Sequence, residues 1–383
     1  MRDFFQMAVE TERYGQNVFL GNLLREGKRC GLFVSPLENA GDALGTVKQF
    51  RAQGLRVDCI CTPDGAAYGD IPADIRLVTL QEIKTDPDPV DCMLILASDD
   101  VWKPMYQYFK RLGMSTWILR DDHEAGREQG WIRSNWMELY DAYALLRDEE
   151  SRRAFRGAIL GKYTGQLEYF HFAAEPQYFL QGFLPEEGDI AIDGGAYDGA
   201  TSLDFASLGA KVHAFEMDAR NFRKCSELAE NWPIVMNHVG LWSEKRTTKY
   251  VPKESASYMH DVNGTEEANF IDLDTYVAQN SLPRVDYIKL DVEGAELEAL
   301  QGACRSIAKW KPKLAISAYH RREDLYVLAK YITSIRPDYE LFFRHYRVDT
   351  RNYWLSDSDK EIFRQCGMEL FVPTIFEMVL YGR

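Results

Sequence analysis

The run Ile190-Ala191-Ile192 followed by Asp193-Gly194-Gly195-Ala196-Tyr197-Asp198-Gly199 constrains this chain more than any other stretch. The short apolar run reads as a strand, and the glycine-rich turn reads as its exit into a helix. Glycine has no Cβ, so it admits positive φ and the close approach of another group. A strand that turns this tightly into a helix belongs in a layered α/β fold with mostly parallel strands.

The flanking sequence repeats the alternation. Before the turn, strands are expected at Arg29–Val34, Leu55–Cys61, Arg76–Leu80, Cys92–Ala97 and Thr116–Leu119, with helices at Asp42–Gln53 and Trp102–Leu112. From Asp121 to Gly182 strand signals vanish and aromatics fall at helical spacing (Trp136, Leu139, Tyr140, Tyr143, Leu146). After the turn, strands are expected at Lys211–Phe215, Ile234–Val239, Asn269–Leu273, Val285–Leu290, Lys313–Ser317, Leu341–Arg344 and Glu377–Tyr381, with helices at Asn221–Glu230 and Ala295–Ala308. The last two strands have no long helix between them, which points to an antiparallel hairpin at the sheet edge. A length of 383 residues fits two domains. The expected division is a smaller Rossmann-like α/β domain over 1–120, a helical bridge over 121–185 and a second, larger α/β domain over 186–383.

Composition excludes several classes. The net charge of −14 argues against a nucleic-acid partner, because phosphate surfaces reward Lys and Arg. No apolar run approaches the ~20 residues of a membrane span. Met1 to Tyr14 is charged throughout and lacks the apolar region of a signal peptide. The seven cysteines are scattered with no C-x-x-C, so reduced thiols in a cytoplasmic protein are expected.

The turn suits a cofactor with an amino-acid tail. Bare backbone at Gly194, Gly195, Ala196, Tyr197, Asp198 and Gly199 leaves room for the tail, and Asp193 can receive an ammonium. Free N–H groups at the start of the next helix, near Thr201, face the same crevice. Glu216 ends the next strand, where a carboxylate can take both hydroxyls of a ribose, with Met217 beside it. Asn237 and His238 end the third strand and can approach an adenine edge. These features fit S-adenosylmethionine. The turn lacks the G-x-G-x-x-G order of a dinucleotide site.

Tyr287-Ile288-Lys289-Leu290-Asp291-Val292-Glu293-Gly294-Ala295-Glu296, taken with the turn and with His213-Ala214-Phe215-Glu216, resembles the FkbM-type methyltransferases. Leu273-Asp274-Thr275, Ala315-Ile316-Ser317-Ala318-Tyr319-His320 with Glu323-Asp324-Leu325, and Arg344-His345-Tyr346 extend the resemblance, which runs from Asp148 to the C-terminus. It implies a seven-stranded class I methyltransferase sheet, S-adenosylmethionine as cofactor, and O-methylation of a hydroxyl on a sugar, glycolipid or polyketide. Carried over residue by residue, it implies Asp193, Gly195 and Gly199 at the methionine part, Glu216 at the ribose and Asp291 beside the transferred methyl. The first domain resembles nucleotide-binding α/β modules, but Val34-Ser35-Pro36-Leu37-Glu38-Asn39-Ala40-Gly41 puts Pro36 and Leu37 where glycines would admit a pyrophosphate. A structural, dimerising or substrate-recruiting role is expected there.

Methyl transfer to oxygen needs alignment and removal of one proton. Asp291 and His320 end neighbouring strands on the ligand-binding rim of an open α/β sheet, with Glu293 close by. Histidine titrates near neutrality and suits a base. His345 is a weaker second candidate. Lys289, inside a central strand, reads as a snorkelling or ion-paired lysine ahead of a catalytic one. Asp291, Glu293 and His320 could together hold a divalent ion, but no ligand spacing prescribes one, and metal-free catalysis ranks above it. Ser255, Ser257 and Tyr258 are expected in a surface loop. Two other readings compete: a nicotinamide-dependent sugar-nucleotide oxidoreductase, and a non-catalytic cofactor-binding module.

Overall fold

The computed structural model describes residues 16–34, 40–63, 71–96, 99–119, 130–164, 169–251, 258–259, 264–351 and 371–383. The chain divides into two compact units. In the first, strands β1 (Arg29–Val34), β2 (Arg56–Thr62), β3 (Arg76–Thr79), β4 (Cys92–Leu96) and β5 (Ser115–Ile118) form a parallel sheet in the order β3-β2-β1-β4-β5. Each expected strand lies within one residue of its place. β1 and β4 are buried along nearly their whole length, as continuous apolar runs in a covered parallel sheet must be. The helices Ala40–Ala52 and Asp99–Arg111 cover the sheet. Residues 35–39, where the expected turn lacks its glycines, lie outside the described residues. Among the described residues the cysteines form no disulfide; Cys30, Cys59, Cys61, Cys92 and Cys225 are buried thiols, and Cys304 is partly buried.

The second unit takes Asn135–Phe155, His171–Arg347 and Ile375–Arg383. Its strands are β6 (Ile190–Gly194), β7 (Lys211–Phe215), β8 (Ile234–Asn237), β9 (Gly240–Leu241), β10 (Arg246–Val251), β11 (Tyr258–Met259), β12 (Glu266–Ile271), β13 (Tyr287–Leu290), β14 (Lys313–Ser317), β15 (Leu341–Arg351) and β16 (Phe371–Gly382). Seven of them form the main sheet, in the order β15-β16-β14-β13-β6-β7-β8. β16 runs antiparallel to β14 and lies between it and β15. The resulting fold is α/β, with a mixed seven-stranded sheet in the second unit and a parallel five-stranded sheet in the first. Strand order reverses between β6 and β13, and open α/β sheets bind their ligands outside the carboxyl ends at such a reversal.

Three local differences from the sequence reading have physical causes. The stretch Ala295–Ala308 is two helices, Glu296–Gly302 and Cys304–Trp310. They break where a Cβ on Gly302 would stand 2.0 Å from the Trp242 carbonyl oxygen, so neighbouring backbone presses against the helix there. A separate sheet of order β11-β10-β12-β9 fills the segment between β8 and β13. β9 and β11 are two residues long, too short to carry a period, and exist through pairing alone. The expected strand Asn269–Leu273 shifts to β12, because Asp272 caps the helix Leu273–Gln279 by accepting from the Thr275 N–H. Ser255 and Ser257 lie outside the described residues, and Tyr258 belongs to β11.

A buried arginine pins the helix beginning at Glu149. Arg344 on β15 donates to Asp148 at 2.8 Å and to the Ser151 hydroxyl at 2.7 Å, while Asp148 accepts from the Ser151 N–H at 2.7 Å. Burial alone would raise the Asp148 carboxyl, but Arg344 and Ser151 outweigh it and hold the group at about 2. A carboxyl depressed on folding stabilises the fold above its ordinary pKa and loses that contribution as pH falls through the folded value. The melting temperature of the native protein is therefore expected to exceed that of Asp148→Asn at pH 6. The gap should close between pH 4 and pH 2, as thermal scans of both proteins would reveal. A gap independent of pH would remove this pair from the acid response. Among the described residues, no helix is long and apolar enough to cross a membrane.

Candidate active site

The glycine turn closes on the end of the neighbouring strand. Gly195 has φ +78° and Gly199 has φ +83°, both in the left-handed region. A Cβ on Gly195 would stand 1.8 Å from the Asp291 carbonyl oxygen, so only glycine fits. The Gly195 and Ala196 N–H groups both donate to the Phe215 carbonyl at 3.0 Å, which ties the turn to β7. Gly199 is the N-cap of the helix Ala200–Ser207, with the exposed Asp198 accepting from the Ala200 N–H; Thr201 sits partly buried in its first turn.

Beneath the turn lies a buried ion pair. Lys289 Nζ stands 2.9 Å from Asp193 Oδ1, and both side chains are almost wholly buried. Lys289 also donates to the Gly195 carbonyl at 2.6 Å and the Gly194 carbonyl at 3.3 Å, and its ammonium sits 5.4 Å from the centre of the Tyr178 ring. Ser202 donates to Asp193 Oδ2 at 2.5 Å. Burial alone would lower the Lys289 pKa; Asp193 and Asp291 outweigh it and hold the ammonium above its usual range. The ammonium that Asp193 receives here is the protein's own.

Glu216 follows β7 and is buried. It accepts from the Tyr197 N–H at 2.9 Å and from the Asp218 N–H at 2.8 Å, so it bridges the glycine turn and the N-cap of the helix Ala219–Ala229. Burial pushes its carboxyl up despite those two bonds. Met217 beside it packs against the Tyr250 cluster. Asn237 donates to the Ala214 and Val235 carbonyls, and the exposed His238 stacks on Phe222 with ring centres 4.7 Å apart.

A polar cluster stands at the carboxyl ends of β13 and β14. Asp291 accepts from the Tyr178 hydroxyl at 2.8 Å and the Tyr319 hydroxyl at 3.3 Å. The Tyr178 hydroxyl also bonds Ser317 at 2.9 Å. His320 Nδ1 lies 3.0 Å from Glu296 Oε1, while its Nε2 lies 3.4 Å from Glu293 and 3.6 Å from Asp291. Burial opposes charge on His320, but Glu296, Asp291 and Glu293 outweigh it and raise the imidazole to about 9. Burial works against ionised Asp291 too, yet Lys289 and His320 hold its carboxyl below the usual range. Burial lifts Glu293 to about 7 and Glu377, on β16, to about 8. Glu293 has φ +55°, a conformation that non-glycine residues rarely adopt and that surrounding structure must enforce.

The sequence-derived candidates Asp291, Glu293 and His320 thus meet at one rim. Asp193, Gly195, Glu216 and Asn237 line the ends of β6, β7 and β8. His345 is buried within β15 against Phe172, ring centres 4.8 Å apart. Tyr178, Ser317, Glu296 and Glu377 join the Asp291 cluster without having been singled out as catalytic. Tyr178 is separated from Asp291 by 113 residues, so no local pattern could couple them.

Comparison with known proteins agrees with this geometry. Residues 193–347 match the methyltransferase FkbM domain. Over 127 residues the chain is 30% identical to the hexuronic acid methyltransferase AglP of Haloferax volcanii, a match covering 32% of this chain and 53% of that protein. The matched stretch therefore spans about half the length of that curated relative. A solved structure of a methyltransferase FkbM from Methylobacillus flagellatus KT superposes with a TM-score of 0.61 at 20% identity, over 100% of this chain and 98% of that one, and shows the shared fold. The segment 193–347, which holds the glycine turn, Glu216, Asp291 and His320, is thus the part of the chain that is similar to the methyltransferase FkbM domain.

Proposed function

We propose that this methyltransferase moves a methyl group from S-adenosylmethionine to a hydroxyl of a small molecule or carbohydrate. The observation that carries this reading is the shared crevice. The Gly195 turn, Glu216 and Asp291 lie at the carboxyl ends of β6, β7 and β13, around the reversal in strand order. The methionine part lies along Gly194 to Gly199 and near Thr201. The ribose hydroxyls meet Glu216 beside Met217, and the adenine lies toward Asn237 and His238. Asp193 acts by holding Lys289 beneath the turn. The methyl group points to Asp291.

The acceptor oxygen attacks the methyl carbon and forms the new O–C bond. The C–S pair goes to sulfur, which leaves as the neutral thioether S-adenosylhomocysteine. The hydroxyl proton passes to Glu293, the most open of the three candidate side chains, which lies 3.4 Å from His320 Nε2. Alignment of this kind is worth ~7–11 kcal/mol and a placed base ~10²–10⁴ in rate. The name of the haloarchaeal relative favours a sugar-acid hydroxyl as acceptor. The net charge of −14 speaks against nucleic acid. Residues 186–383 form the methyltransferase domain in this reading, 121–185 a helical bridge, and 1–120 an accessory domain that recruits substrate or pairs two copies. Free thiols suit a cytoplasmic setting.

Two measurements test the reading. Incubation with methyl-labelled S-adenosylmethionine and a panel of uronic-acid oligosaccharides should label one hydroxyl, and Glu293→Gln should slow transfer while leaving cofactor affinity unchanged. Equal rates for both proteins would remove Glu293 as the proton acceptor. Glu216→Ala should weaken S-adenosylhomocysteine binding by about 1–3 kcal/mol, the cost of lost buried hydrogen bonds. Unchanged affinity by calorimetry would remove Glu216 from the cofactor site.

A further inference from the structure

We infer that the cluster at the ends of β13 and β14 is a divalent-cation site, with Asp291, Glu296 and His320 as its protein ligands and Glu293 at its open edge. One donor atom from each of Asp291, Glu296 and His320 lies within 4.8 Å of the others, a spacing that one ion can span. The residues come from two elements, since Glu296 opens the helix after β13 and His320 follows β14. Two atoms of the cluster are buried without a hydrogen bond: Glu296 Oε2, on a side chain with no exposure, and His320 Nε2, on a side chain 10% exposed. A buried carboxylate oxygen and a buried ring nitrogen left unmatched are costly in an apolar setting. The Nε2 atom points between carboxylates, 3.4 Å from Glu293 and 3.6 Å from Asp291, and makes a hydrogen bond with neither. A cation is a partner of the kind that these unmatched atoms lack.

The surroundings hold the ligands in place. Glu296 Oε1 accepts from the Val292 N–H at 2.9 Å and lies 3.0 Å from His320 Nδ1, which fixes the imidazole plane. The Tyr178 and Tyr319 hydroxyls orient Asp291. Such outer hydrogen bonds direct and sharpen metal ligands. Two carboxylates and one imidazole suit a cation of the manganese or magnesium kind and leave positions for acceptor oxygens. Building on the hydroxyl-methylation reading, the cation would grip an acceptor diol or hydroxy acid and make its hydroxyl more acidic.

Binding can be tested apart from methyl transfer. The full chain, stripped with EDTA, is titrated with Mn²⁺ by calorimetry and by loss of the free-ion electron paramagnetic resonance signal. One saturable Mn²⁺ per chain is expected. His320→Ala and Asp291→Asn should each weaken it by at least about tenfold, the lower end of what losing even an outer hydrogen bond to a ligand costs. Circular dichroism of the same samples reports whether each variant is folded, and S-adenosylhomocysteine titration of the native chain reports whether the cofactor reading stands by itself. A native chain that takes up S-adenosylhomocysteine but no Mn²⁺ up to about 1 mM would overturn the cation site. So would Mn²⁺ binding that His320→Ala and Asp291→Asn leave unchanged.

Discussion

Replacement of Gly195 by alanine is expected to lower S-adenosylhomocysteine affinity at least 100-fold, about 2.7 kcal/mol. Two costs combine. The residue sits at φ +78°, where an L side chain costs roughly 1–2 kcal/mol. The added Cβ would also stand 1.8 Å from the Asp291 carbonyl oxygen, and that atom is backbone, so the ends of β6 and β13 must part. Parting them moves the turn away from Asp291, and the cofactor loses both surfaces at once. Gly45→Ala is the control. Gly45 lies in the helix Ala40–Ala52 with nothing within 4 Å of its added Cβ, so cofactor binding should not change. Calorimetry of both variants decides the matter, and equal affinities would show that the turn does not contact the cofactor.

Lys289→Met should produce the largest loss of stability. The substitution keeps the length of the side chain and leaves Asp193 buried with Ser202 alone. Removing one partner of a buried ion pair typically costs about 3–5 kcal/mol, which for a domain of this size lowers the melting temperature by roughly 10 °C. It also frees the Gly194 and Gly195 carbonyls that Lys289 holds, so cofactor binding should weaken along with stability. Asp193→Asn and the double variant complete a thermodynamic cycle. The double variant should be more stable than the sum of the single losses predicts. Simple additivity in thermal scans would show that the two groups do not act as a pair.

Sequence and structure agree best where a residue's role follows from its place on a strand. β7 and β14 fall where the periodicity puts them, and Glu216 and Asp291 stand at strand ends because the apolar runs stop there. Lys289 is readable as a snorkelling or ion-paired lysine, and the structure shows the ion pair. Its partner was not readable, because pairing β13 with β6 is a matter of topology. The same limit applies to the acceptor end of the site. Tyr178 sits at φ +66° in irregular chain before β6, and its hydroxyl reaches Asp291 and Ser317 only once the sheet has formed. Glu377 comes from β16, which inserts between β15 and β14. The unmatched atoms of Glu296 and His320 are a property of packing, which spacing along the chain cannot express.

The proposed S-adenosylmethionine site joins the glycine turn, Glu216 and the end of β13. Calorimetric titration of the full chain with S-adenosylhomocysteine, alongside NADH, tests it most directly. One S-adenosylhomocysteine bound per chain is expected, weakened in Glu216→Ala and at least 100-fold weaker in Gly195→Ala, with no response to NADH. A folded chain that binds NADH, or that binds S-adenosylhomocysteine equally well in all three proteins, would contradict it.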